Sequence, residues 1–356
     1  MLPIKFSICI PNYNYEKYLG ETIQSVLEQT YPDLEIVVMD NASTDRSIEL
    51  VRSFKDTRIR LFSNQSNVGF APNLDRAAAN ASNPFVIMLS SDDLMRPTAL
   101  EEYARLLKIL GPNAENVLLV SSIDLINGQG VLIGRRDRQT YYQLEPEQTL
   151  TSLFNDPQIE GFRGLKVFKA AYPRMSVPGH FCTTLFSKKL YDRVGGYSSI
   201  HPIGPDAHLA YKILLLDAPV IFVNRPLFAY RIHSENQVGK SRGSKTLKVP
   251  INTYLFSIEY SDDDLAHANV KRDEIVNFLV NNTCILGALE EMRLGSSYQA
   301  FRYLMFALSS APGKTLRNPK AYGVALLLSL GFFGPSAARL LHRIYKYFIP
   351  EKSFAI

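Results

Sequence analysis

Twice within the first hundred residues an apolar run stops directly at acidic side chains. Glu35 to Met39 leads into Asp40-Asn41-Ala42-Ser43-Thr44-Asp45, and Phe85 to Leu89 leads into Ser90-Ser91-Asp92-Asp93. Short, nearly continuous apolar runs are the pattern of strands covered on both faces. Helical periodicity fills the intervals. Leu19, Ile23, Val26 and Leu27 share one face of the segment Tyr18 to Glu28, Ser47 to Phe54 follows a capping residue, either Ser43 or Asp45, and an alanine-rich stretch runs from Pro72 to Ala81. With Phe6 to Ile10, halted by Pro11, and Ile59 to Phe62 as further strands, the alternation predicts an α/β fold with a parallel sheet and crossover helices. Strand carboxyl ends form the ligand crevice of such sheets, so both acidic groups are expected to face one site.

The rest of the chain changes character in steps. Gly128 to Arg174 mixes charge, turns and isolated hydrophobes and reads as an insertion or acceptor-side loop region. Order returns at Phe181 to Phe186, strand-like, and Ala207 to Leu216, helical, followed by two strands, Val220 to Val223 and Leu227 to Tyr230. A basic, serine-containing linker from Gly239 to Lys248 then leads into helical periodicity through Ser310, which divides the chain into a domain of residues 1–236 and a helical region of residues 237–356. Ala321 to Gly334 is almost wholly apolar but, at about fourteen residues, falls short of the ~20 needed to span a bilayer. Arg339, His342, Arg343 and Lys346 then alternate with Leu340, Leu341, Ile344, Tyr345 and Phe348. That pattern fits a core helix with a solvated face and equally a helix lying on an anionic membrane surface.

Composition removes several classes. The net charge of +5 comes from scattered Lys and Arg rather than basic runs with interleaved aromatics, which argues against nucleic acid. Phosphates on a small ligand or a lipid surface suit the charge. Cys9, Cys182 and Cys284 are odd in number and far apart, so neither a disulfide framework nor a zinc cluster is indicated and a reducing compartment fits. The start, MLPIKFSICIPNYN, turns polar within a dozen residues and reads as a first strand rather than a signal peptide. The expected location is the cytoplasm, at the inner face of the membrane if the C-terminal helices touch lipid.

Adjacent acids such as Asp92 and Asp93 are costly to pack unless a cation or solvent separates them, which makes them candidate metal ligands. A solvated turn with a helix cap explains the same spacing. Asp40 is placed to accept a hydrogen bond from a base or ribose, or to form an Asx turn, and Tyr13 to stack on a base or simply to pack.

The ordered series Ile8-Cys9-Ile10-Pro11-Asn12-Tyr13-Asn14, Glu35 to Asp45, Asn67-Val68-Gly69 and Leu89-Ser90-Ser91-Asp92-Asp93 strongly resembles the inverting family 2 glycosyltransferases of GT-A fold, over roughly residues 4 to 235. The resemblance implies a Rossmann-like nucleotide-sugar-binding domain with a mixed, mainly parallel sheet. It assigns Pro11, Tyr13 and Asp40, with Asp45 nearby, to the nucleotide base, and Asp92 and Asp93 to the ribose and a metal-bound diphosphate. Gly195-Gly196-Tyr197 followed by Pro205-Asp206 matches the segment carrying the catalytic base, which selects Asp206. Tyr230-Arg231-Ile232-His233 matches an Arg-x-His element whose histidine joins the metal shell in some members. Three positions depart from the pattern: Ser90 replaces the first acid of the metal motif, so metal contact is expected to rest on Asp93, with Asp92 beside it and His233 as the further ligand. Pro205 replaces a common glutamate. Arg76 is slightly displaced from a basic position assigned to the phosphates.

The expected reaction is therefore an inverting, Mn2+- or Mg2+-assisted transfer from a UDP-, GDP- or dTDP-sugar to a hydroxyl of a glycan or lipid-linked glycan, in the setting of bacterial surface polysaccharide assembly. The departures at Ser90 and Pro205 keep open a non-catalytic sugar-nucleotide-binding or scaffold protein. A dinucleotide oxidoreductase is disfavoured, because Pro-Asn-Tyr-Asn follows the first strand where a Gly-x-Gly-x-x-Gly turn would be needed.

Overall fold

The computed structural model describes residues 4–197, 200–201, 204–234 and 247–331. The chain divides into two compact units, Met1–Lys240 and Ser241–Ile356.

The first unit is built on strands β1 (Phe6–Asn12), β2 (Leu34–Asp40), β3 (Ile59–Ser63), β4 (Phe85–Met88), β5 (Leu94–Met95), β6 (Leu118–Asn127), β7 (Leu132–Arg136), β8 (Ile159–Phe162), β9 (Leu185–Ser187) and β10 (Val220–Ile232). Their order is β3-β2-β1-β4-β9-β6-β10-β5, with β7 beside β6 and β8 beside β10. The long ladders, β1 with β2, β2 with β3, β1 with β4 and β6 with β10, are parallel. Because β9 runs antiparallel to both β4 and β6, β6 and β10 point the same way as β1, β2 and β4. All five therefore end at one edge of the sheet. Every residue of β1 and β2 is buried, as strands covered by helices on both faces must be.

Those helices are α1 (Glu16–Leu27), α2 (Ser47–Ser53), α3 (Phe70–Asn80), α4 (Ala99–Leu110), the single turns α5 (Arg138–Tyr141) and α6 (Gln148–Thr151), α7 (Gly164–Ala171), α8 (Lys188–Val194) and α9 (Pro205–Leu215). Leu19, Ile23 and Val26 of α1 pack with Leu100, Tyr103 and Leu107 of α4 in the core that holds β1 and β2.

Four expectations change. The strand-like run Phe181 to Phe186 is a 3-10 turn, Phe181–Thr183, followed by β9. The first strand continues through Pro11 to Asn12. The segment expected to be an irregular insertion supplies β7 and β8 to the sheet. The two strands expected at 220–230 are one, β10, whose register against β6 shifts on either side of Pro226. A proline cannot donate to the ladder, so a bulge there lets the strand pass it unbroken.

The second unit is helical: α10 (Lys248–Glu259), α11 (Asp262–His267), α12 (Arg272–Phe278), α13 (Leu286–Arg293), α14 (Ser297–Ser310), α15 (Pro312–Leu316) and α16 (Pro319–Gly331), with a π-helical stretch Leu279–Ile285 joining α12 to α13. Its core includes Val280, Ile285, Ala300, Leu304, Val324 and Leu328. Gly287 permits the close packing of α13 on α14, since a Cβ there would lie 2.5 Å from the Tyr303 ring. The linker beginning at Gly239 and the basic pattern at Arg339 to Phe348 fall outside the described residues, apart from Leu247 and Lys248. No helix among the described residues is long and apolar enough to cross a membrane.

Candidate active site

At the end of β2, Asp40 is locked in place. Its Oδ1 accepts from Asn12 Nδ2 at 2.9 Å and from the Ser43 hydroxyl at 2.6 Å, and its Oδ2 accepts from the Ser43 N–H at 2.9 Å. Asn12 and Asp40 face each other in the β1–β2 register, so the sheet itself sets this pair. Pro11 is buried between the strands, whereas Tyr13 is 43% exposed just beyond them. Asp45 ties two helix starts together: its carboxylate accepts from the backbone N–H of Glu16, at 2.9 Å, and of Ser47, at 3.0 Å. Burial works to raise its pKa, but these hydrogen bonds outweigh it and hold the pKa below the usual value. Of the two capping candidates, then, Asp45 meets the start of α2 while Ser43 serves Asp40.

Arg76 is exposed on α3, and its guanidinium donates to Asn64 Oδ1. Asn64 belongs to a group of side-chain amides that sequence reading passed over. It donates to Asn41 at 2.9 Å and to Asn73 at 2.8 Å, while Asn41 donates to Asn67 at 3.0 Å and accepts from the Val68 N–H at 2.9 Å. These bonds fix the Asn67-Val68-Gly69 turn beside Asp40.

Asp92 and Asp93, just past β4, are 5% and 0% exposed. They point to different partners. Asp92 Oδ2 lies 2.9 Å from His233 Nε2, while Asp93 Oδ1 accepts from the Arg231 N–H at 3.0 Å. The other oxygen of Asp93, Oδ2, is buried and has no hydrogen-bond partner. Burial raises the pKa of both, opposed at Asp92 by His233 and reinforced at Asp93 by the charge of Asp92. His233, which follows β10 at the same edge of the sheet, is thus joined to Asp92 rather than to Asp93, and its ring packs on Tyr18 with centroids 4.7 Å apart.

Arg231 holds this arrangement from below. Only 1% exposed, it donates from Nε to the Asp92 carbonyl at 2.9 Å and from Nη2 to Glu21 at 2.6 Å, and its guanidinium lies over the Tyr18 ring. The Arg-x-His spacing marked the residue, but only the fold shows what it grips. Cys182, set aside in the sequence as unpaired, stands with His180 and Asp93 so that their potential ligand atoms lie within 4.8 Å of one another. His180 stays neutral, its pKa driven down to about 3 by burial and then by Arg136. All three cysteines are free and buried.

Asp206 occupies the first turn of α9. It shares a cavity of about 20 Å³ with Gly179, Phe181, Thr184 and Tyr197. Gly179 must be glycine, because a Cβ there would lie 2.7 Å from Val120 of β6. The segment that carries Cys182 toward Asp93 therefore also walls the cavity of Asp206. Burial raises the Asp206 pKa against the opposing pull of its own N–H and that of Ala207. The approach to it is set by Asp75, another residue the sequence did not flag: its Oδ1 accepts from the Tyr197 N–H at 2.8 Å and from the Tyr191 hydroxyl. A side chain at Gly196 would collide with Asp75 and Tyr191, and φ there is +69°, so the Gly195-Gly196-Tyr197 motif is a condition of that contact.

Residues 7–162 match the model of Glycosyl transferase family 2. Glycosyltransferase GlyA of Streptococcus pneumoniae is 26% identical over 231 residues, 64% of this chain and 30% of that protein. The poly(ribitol-phosphate) beta-N-acetylglucosaminyltransferase TarS of Staphylococcus aureus is 30% identical over 152 residues, 41% of this chain and 25% of that protein. The chain spans less than half the length of these curated relatives. The crystal structure of TarS residues 1–349 in complex with UDP superposes with a TM-score of 0.61 at 16% identity, covering 97% of this chain and 92% of that one. Its complex with UDP-GlcNAc gives 0.58 at 16% identity, covering 85% and 82%. Residues 7–162 thus carry the pattern of the glycosyl transferase family 2 model, and the fold is the GT-A fold seen in TarS, with a helical C-terminal region.

Proposed function

We propose that the chain is an inverting glycosyltransferase that moves a sugar from a nucleotide-sugar donor to a hydroxyl of a glycan or lipid-linked glycan, in bacterial surface polysaccharide assembly. In this reading residues 1–236 carry the reaction and residues 237–356 form a helical accessory region. The observation that carries it is topological: Asp40, Asp92 with Asp93, and His233 all follow strands that end at one edge of the sheet. The likeness to TarS, solved with UDP and with UDP-GlcNAc, favours a UDP-sugar among the donor types.

Pro11, Tyr13 and Asp40 receive the base, with Asp45 bracing the loop and Arg76 near the phosphates. Asp206 removes the proton from the acceptor hydroxyl while that oxygen attacks the anomeric carbon. The new carbon–oxygen bond forms as the bond to the diphosphate breaks, and the bonding electrons leave with the diphosphate. One displacement inverts the anomeric centre without a covalent enzyme intermediate. The raised pKa of Asp206 makes it a better base than an ordinary carboxylate. A divalent cation fits the other acids: an unpartnered buried oxygen on Asp93 and two carboxylates with raised pKa values describe a donor set short of positive charge. Asp93 and His233, the histidine being paired with Asp92, would hold Mn2+ or Mg2+, which when bound neutralises charge on the leaving diphosphate.

The test is thermal unfolding of the full chain with UDP-, GDP- and dTDP-sugars, with and without Mn2+, alongside release of free sugar. A donor at a hundred times its Kd adds about 2.7 kcal/mol to apparent stability. One donor is expected to stabilise in the presence of Mn2+ and to be slowly hydrolysed. Stabilisation without hydrolysis or transfer would leave a binding protein, and no response to any donor would overturn the reading.

A further inference from the structure

In the C-terminal unit, the buried sides of α14 and α16 are accounted for: Ala300 and Leu304 of one and Val324 and Leu328 of the other share a core. Their remaining surface is unusual. Tyr298, Phe301 and Met305, at helical spacings of three and four, are 74%, 49% and 45% exposed, and on α16 Tyr322 and Leu326 are 59% and 60% exposed. A helix packed on one side ordinarily presents polar residues on the other.

The charged residues of α14, α15 and α16 have one sign, and Lys314 of α15 pairs with Asp273 of α12. Arg302 leans over the Tyr298 ring at 5.9 Å, and Arg317, between the two helices, and Lys320, in the first turn of α16, are exposed. From Met292 to Pro350 the sequence contains no Asp or Glu at all. That pattern discriminates between occupants. In a two-fold contact with a second copy the same patch meets itself, so cations would face cations with no acid from this stretch to pair them. An anionic lipid surface supplies both an apolar layer for the aromatic and aliphatic side chains and the negative charge.

We propose that α14 and α16 form a docking surface for an anionic membrane, lying on the lipid rather than crossing it. Aromatic and aliphatic side chains enter the interface while Arg302, Arg317 and Lys320 meet lipid headgroups. The test reads binding rather than transfer, so it succeeds or fails separately from the assignment of the acidic site.

The experiment is co-sedimentation of the full chain with phosphatidylcholine vesicles and with vesicles that also contain phosphatidylglycerol. Binding is expected to be at least about tenfold tighter with phosphatidylglycerol, to weaken by a similar factor on combining Arg317→Glu with Lys320→Glu, and to fade at high salt. Combining Phe301→Ser with Tyr322→Ser is expected to weaken it as well, while the melting curve stays a single transition despite loss of the Tyr322 hydroxyl bond to the Leu316 carbonyl. Equal binding to both vesicle types, no binding, or binding that ignores both pairs of substitutions would overturn the proposal. So would a concentration-dependent dimer in sedimentation equilibrium that Phe301→Ser with Tyr322→Ser abolishes, since the face would then be a protein contact.

Discussion

Glu35, near the amino end of β2, and Asp93, past the carboxyl end of β4, are both buried, at 8% and 0% exposure, yet their surroundings treat them in opposite ways. Glu35 accepts from the Ser7 hydroxyl at 2.5 Å, the Arg60 guanidinium at 2.8 Å and the Ser82 N–H at 2.6 Å. Burial pushes its pKa up, but these donors win and bring it down to about 2. Asp93 accepts from the Arg231 N–H on Oδ1, and Cys182 and Ser90 also hold its pKa down, but burial and the second carboxylate beside it win and raise it. Glu35 is an acid whose charge the fold has met with donors, so it joins β1, β2 and β3 into one block. The fold meets the charge of Asp93 less fully, and such a deficit is what a site for a cation and a phosphate requires.

The strongest way to break this contrast lies at Asp206, a third acid with raised pKa. Asp206→Asn should lower transfer by about 10²- to 10⁴-fold while leaving the donor-induced thermal shift intact; single-turnover transfer near the unsubstituted rate would remove Asp206 as the base. Next comes Glu35→Ala, which strands Arg60, Ser7 and the Ser82 N–H and should cost about 2–4 kcal/mol in urea unfolding. Because the folded pKa of Glu35 is depressed, its contribution is complete above the ordinary carboxylate range and is lost as pH falls toward about 2. An unchanged midpoint would mean that the network carries no net stability.

Asp93→Asn should have a smaller effect of opposite sign. The folded pKa of Asp93 is raised, so the metal-free protein loses stability as pH rises from the ordinary carboxylate range through that higher value. Removing the charge is expected to raise the melting temperature without metal at neutral pH and to abolish the added stabilisation by Mn2+ and donor. A lower melting temperature would show that Asp93 is already satisfied. The smallest change is expected at Asp45→Ala, about 1 kcal/mol, with donor affinity little altered; a large loss of donor binding would put Asp45 in contact with the nucleotide.

Much of the architecture was readable in order along the chain. Apolar runs of strand length ending at Asp40 and Asp93 and helical faces such as Leu19, Ile23 and Val26 gave the parallel half of the sheet, since both signals are local. The reading failed where a distant partner decides the outcome. Pro226 looks like a break between two strands and is instead a bulge within β10, because β6 offers a continuous ladder on either side of it. Likewise β7 and β8 have little strand signature of their own and exist through pairing with β6 and β10.

The acids of the candidate site divide along the same line. Residue type, order and spacing singled out Asp40, Asp92 and Asp93, because a strand end is marked by its immediate neighbours, whereas Asp206 and His233 were selected through the resemblance to family 2 glycosyltransferases. Which of them are neutralised and which are left wanting charge was settled only by contacts from remote segments: Arg231 and His233 reach Asp93 and Asp92 from β10, and Asp75 reaches the Tyr197 backbone from α3. Local sequence fixes where a carboxylate stands. Its protonation depends on the donors and charges that folding gathers around it, and for Asp92 and Asp93 these include His233 and Arg231, more than a hundred positions away.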